Sequence, residues 1–155
     1  MKNLKILSLI LFVPMLIISC KTPQSMLSEG VSQGITGQVM WYEGDLMPGI
    51  GKEPAEGKPI QREIFIYEAT SPDQAEVHEG QFYSGLKSKL VQTVNSDEDG
   101  RFIVALEPGT YSVFVNEPEG LFANRFDQAG IINPVTINRN ELVNILIKVD
   151  YKAAY

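Results

Sequence analysis

The chain is poor in the side chains that carry most protein chemistry: it has one cysteine, one histidine and one tryptophan in 155 residues. A lone cysteine, Cys20, forms no internal disulfide, so no disulfide framework holds the fold. A lone histidine, His78, falls short of the several His or Cys ligands that a zinc centre recruits. It would also have to serve as the sole imidazole base for any nucleophilic serine, such as Ser71 or Ser84, and no nucleophile-elbow pattern is present. Basic residues are in the minority, 13 Lys and Arg against 19 Asp and Glu, which disfavours nucleic acid as a partner. No apolar run reaches the roughly 20 residues that cross a bilayer. The run over residues 6–18 holds 13 and is interrupted by Pro14. No internal repeat and no convincing amphipathic helix is found.

What the N-terminus does have is a basic start, Lys2 and Lys5, then that short apolar run, then Ile17-Ile18-Ser19-Cys20. The run is too short for an anchor and reads as the core of a removable signal. The arrangement resembles a bacterial lipoprotein signal, in which a small residue precedes the cysteine whose thiol receives lipid. The resemblance implies removal of residues 1–19 and acylation of Cys20 by chains such as palmitate. Each buried methylene contributes about 0.8 kcal/mol and a single chain holds only marginally, so several chains on one cysteine would anchor stably. Removing residues 1–20 takes away two lysines and no acid, leaving 11 basic against 19 acidic side chains, a net of −8. Lys21 is not acidic and gives no retention signal for an inner membrane, so the expected location is the cell envelope, at the outer membrane of a Gram-negative bacterium. The face occupied stays open.

Residues 20–33 hold the cysteine and a polar stretch with Pro23 and Gly30, read as a flexible tether. Residues 34–155 form the body, one domain by size. Apolar alternation predicts strands over residues 35–42, 64–67, 89–94, 101–106, 110–116, 135–137 and 141–149. Ile35, Val39 and Trp41 share one face of the first, and Tyr42 falls on the other. Val143, Ile145, Ile147 and Val149 line one face of the last. Residues 95–100 end in Gly100, whose expected positive φ predicts a hairpin between the third and fourth strands. About seven short strands without helices predict an all-β fold, a two-sheet sandwich. Residues 43–59 and 69–88 are long loop insertions.

Gly37-Gln38-Val39, then residues 95–102 with their acidic turn, then Leu106-Glu107-Pro108-Gly109-Thr110-Tyr111 resemble the carboxypeptidase regulatory-like family of prealbumin-like (transthyretin-like) sandwiches. The resemblance implies a non-catalytic accessory or binding module of cell-envelope proteins. It implies no peptidase, because the zinc catalytic domain beside which such modules sit is absent from this sequence. Residues 43–59, 69–88 and 120–133 depart from the family pattern and leave any binding site undetermined.

Three groups are candidate sites. Asn95, Asp97 and Asp99 have the spacing that opens a calcium loop, but Leu106 stands where a bidentate glutamate belongs, so a plain turn competes with a weak metal site. His78 beside Glu76 and Glu79 reads as a solvated loop histidine or a loose metal ligand. Tyr42, Tyr83, Phe122, Arg125 and Phe126 are rings and a cation outside, or at the ends of, the expected strands. They either stack on a sugar or peptide and orient it, or seal the sandwich ends. No cofactor is expected. The expected function is a lipid-anchored binding or scaffold module whose partner is an envelope protein or glycan. A fimbrial-type assembly subunit and a small hydrolase are the alternatives.

Overall fold

The structure, a computed structural model, describes residues 30–51 and 56–155. Cys20, the signal segment and most of the tether lie outside the described residues. Among the described residues eleven strands follow in order: β1 Gly34–Asp45, β2 Lys58–Pro59, β3 Glu63–Glu68, β4 Glu76–His78, β5 Phe82–Ser84, β6 Leu90–Asn95, β7 Arg101–Ala105, β8 Gly109–Glu117, β9 Gly120–Phe122, β10 Pro134–Ile137 and β11 Leu142–Ala154. A single 3-10 turn, Pro72–Gln74, is the only helical element among the described residues.

The strands form two sheets packed as a sandwich. In the smaller, β1 is central: β11 runs parallel along its whole length, while β7 and then β2 pair antiparallel with successive parts of its other edge. The larger sheet has the order β4-β5-β9-β8-β3-β6, with β10 pairing the first half of β8. Alternate residues of β1, β3, β7, β8 and β11 meet between the sheets, and Ile35, Val39, Ile64, Ile66, Phe102 and Val113 are almost wholly enclosed there. Trp41 packs against this core. Gly37 shares its face: a Cβ there would lie 2.4 Å from the Ile145 carbonyl oxygen and 3.0 Å from the Phe102 ring, so only glycine fits at this crossing.

β8 is buried on both faces. Tyr111, Val113 and Val115 face the main core, while Phe114 points outward into a second cluster with Tyr83, Ala123 and Ile132. The 69–88 insertion builds that cluster. Its β4 and β5 extend the larger sheet, and a fixed polar junction docks its start, with the Thr70 amide donating to Ser112 Oγ at 2.9 Å and the Ile132 amide to the Thr70 carbonyl at 2.8 Å.

One expected hairpin is absent. β6 pairs with β3 in the larger sheet and β7 with β1 in the smaller, so residues 96–100 form an arch between sheets. Gly100 has the expected positive φ, 71°. The ends of the arch are pulled apart: the Ser96 amide donates to the Arg62 carbonyl beside β3, while the Gly100 carbonyl accepts from the Val39 amide of β1. The corner between β7 and β8 crosses back and is pinned by the Tyr111 hydroxyl, which donates to the Glu107 carbonyl at 2.9 Å.

Candidate binding cleft along the last strand

β11 is the longest strand and lies at an edge of the smaller sheet. Its register with β1 is unbroken from Leu142 to Val149, so backbone groups of alternate residues point alternately to β1 and away from it. The Lys148 carbonyl accepts from Asn124 Nδ2, outside the sheet, at 3.4 Å. By alternation Asn144 and Leu146 also direct their N–H and C=O groups outward. Beside this edge runs a cleft of about 510 Å³, lined by residues 144–148 on one side and by residues 122–125 with Asn133 on the other.

Arg125 is set in place at the rim of this cleft. Asn133, 5% exposed, donates through Nδ2 to the Val113 carbonyl and accepts at Oδ1 from both Arg125 Nε (3.2 Å) and Nη2 (3.1 Å). The side-on fork of the guanidinium is thereby engaged, and the end-on fork, Nη1 with the second Nη2 proton, remains for a ligand. No carboxylate of the described residues pairs with Arg125. Asn124 is held against the strand by Asp150, whose Oδ1 accepts from Asn124 Nδ2 at 2.8 Å and whose Oδ2 accepts from the Tyr155 hydroxyl at 2.6 Å. That bond, with burial and the Asp150 charge behind it, pushes the Tyr155 phenol up to about 12.

The structure separates the aromatic candidates. Tyr83 and Phe122 are core residues, each 1% exposed, because β5 and β9 are strands of the larger sheet rather than loop. Neither ring offers a free face. Phe122 forms the inner wall of the cleft. Phe126 is 51% exposed beside Arg125. Tyr42 is half-buried on the outer face of the smaller sheet, with Lys148 Nζ 5.5 Å from its ring centre. Of the five, only Arg125 and Phe122 line the cleft. Neither Asn133, which orients Arg125, nor the edge position of β11 was legible in the sequence, because an asparagine between Ile132 and Pro134 gives no signal of either.

The other candidates have local partners. The Asp97 carboxylate accepts from the Arg101 amide at 2.7 Å and that of Asp99 pairs with Arg101 Nη1 at 3.1 Å. Asn95 ends β6. No group of three or more His, Cys, Asp or Glu side chains among the described residues is placed to hold a metal ion. On the exposed β4–β5 ladder His78 Nε2 lies 2.8 Å from Ser84 Oγ, and Ser84 donates to Glu76 Oε2 at 3.3 Å. In that pattern the imidazole donates to the serine instead of accepting its proton. No family model, curated protein or solved structure matches the chain.

Proposed function

We propose that the chain is a lipid-anchored cell-envelope protein whose prealbumin-like sandwich, a non-catalytic module of the carboxypeptidase regulatory-like type, binds a second envelope component in the cleft along β11. The observation that carries the binding role is the pre-set Arg125 facing an open strand edge. The lipoprotein-type signal ending at Cys20 and the polar tether support the anchored location. The test pairs detergent partitioning with mass analysis of the N-terminal peptide. The native chain is expected in the detergent phase with an acylated Cys20, and Cys20→Ala is expected in the aqueous phase or unprocessed. An unmodified Cys20, or a membrane fraction unaltered by the substitution, would refute the anchor.

The free β11 edge also suits a fimbrial-type subunit that assembles by strand exchange. Concentration-dependent polymers of the purified protein in sedimentation would favour that reading, and a persistent monomer would disfavour it.

A further inference from the structure

Resting on that reading, we infer that the cleft takes an extended, acid-bearing peptide segment of a partner protein, added as a strand to the free edge of β11, with its carboxylate on the end-on fork of Arg125. The edge offers main-chain donors and acceptors from Asn144 and Leu146 at the two-residue repeat of a strand, which an added peptide matches along its length. Residues 142–147, Leu-Val-Asn-Ile-Leu-Ile, carry no charge, whereas natural edges that must stay unpaired are blunted by charge, proline or a bulge. The lysines further along do not guard this stretch. Lys148 and Lys152 place their ammonium groups over the rings of Tyr42, Trp41 and Tyr151. Leu146 is 46% exposed on the strand's outer face.

The chemistry also selects among occupants. Arg125 is a cation without a carboxylate partner among the described residues, in a chain of net charge −6, and its free fork fits a carboxylate in bidentate fashion. A glycan would want a ring face to stack on, and the one ring lining the cleft, Phe122, is buried. A second copy of the chain would bring the same uncharged 142–147 run and leave Arg125 unsatisfied. The Asn124 contact to the Lys148 carbonyl, at 3.4 Å, is long and would yield to an incoming strand.

The test uses the full chain in detergent micelles and synthetic octapeptides of alternating Thr and Val with Glu, Gln or Lys at one central position, with oligogalacturonate as an anionic glycan. The Glu peptide is expected to bind best and to slow amide exchange at Asn144 and Leu146. Arg125→Ala should lower its affinity at least tenfold, the loss of a bidentate, charge-assisted contact at the exposed rim of the cleft, and bring it level with the Gln peptide. Leu146→Pro removes only an outward N–H and should abolish binding with the melting temperature little changed. Should that variant unfold, the Glu-to-Gln comparison on Arg125→Ala still decides. Absence of peptide binding, equal binding of the Lys peptide, protection elsewhere, or binding of oligogalacturonate instead would each overturn the inference. If a partner is nevertheless cross-linked at the cleft in cells, the binding role stands without strand addition; if no partner is captured either, both fail.

Discussion

At the scale of single residues, two buried polar groups have opposite energetics. Tyr83 is 1% exposed and its hydroxyl has no hydrogen-bond partner among the described residues, so the ring contributes packing while the oxygen contributes a desolvation cost. Tyr83→Phe is therefore expected to leave the melting temperature unchanged or to raise it. Glu117 is the contrary case: its enclosed carboxylate accepts from Arg62 Nε at 2.7 Å and from the Tyr151 hydroxyl at 2.9 Å. Glu117→Ala removes the acceptor for both and is expected to cost about 3 kcal/mol in chemical denaturation. Arg125 belongs to neither type. It lies at the surface but is the donor to Oδ1 of the buried Asn133, so Arg125→Ala should cost about 1 kcal/mol of stability for the acceptor left behind, less than Glu117→Ala, while weakening ligand binding.

At the scale of elements, the expected strands with clean alternation are found, β7 and β8 within a residue of their expected ends, while β1 and β11 start within a residue of the expectation and run on to Asp45 and Ala154. What alternation could not reveal was a strand too short to show its two-residue repeat more than once. β4, β5 and β9 have three residues each, and Phe82-Tyr83 sends one ring to each of two cores, which in sequence looks like a pair of loop aromatics. The arch at residues 96–100 has the composition of a hairpin turn, because the local chain reverses in both; hydrogen bonds to the distant Arg62 and Val39 decide that the strands part. The candidate site was legible only in Arg125 and Phe122, since the free edge of β11 is a property of strand order. If the 69–88 insertion is a structural cover for the larger sheet, Phe114, whose ring meets Tyr67 and Tyr83 edge-on at 5.8 and 5.5 Å, is a second core. Phe114→Ala is then expected to cost about 3–5 kcal/mol and to expose residues 69–88 to limited proteolysis. A cost below 1 kcal/mol would mean that the insertion packs only loosely.

At the scale of the whole molecule, the two sheets are tied at one end by an aromatic group in which Tyr151 meets Trp41, Phe82 and Phe122 at 5.0 to 5.6 Å. Burial first, then the bond to Glu117, raises the Tyr151 phenol well above its ordinary value, and Tyr155 is raised to about 12. An unfolded tyrosine titrates near about 10. Both groups hold their proton more tightly in the folded state, so their contribution is complete below about pH 10 and is lost as pH rises through the folded values. Thermal stability should accordingly fall on going from pH 10 to 12, and the fall should be shallower in Tyr151→Phe. An equal slope in both proteins would remove Tyr151 as its source.

The lipid anchor, the tether and the sandwich matter to function only if the β11 cleft meets something in the envelope. The most direct measurement places a photo-reactive benzoyl-phenylalanine at Leu146, beside the cleft, or at Leu90 on β6, an edge of the larger sheet that is comparably exposed, and irradiates intact cells. One discrete cross-linked partner is expected from position 146, lost with Arg125→Ala, and none from position 90. The same products from both positions, or none from position 146, would contradict the binding role of the cleft.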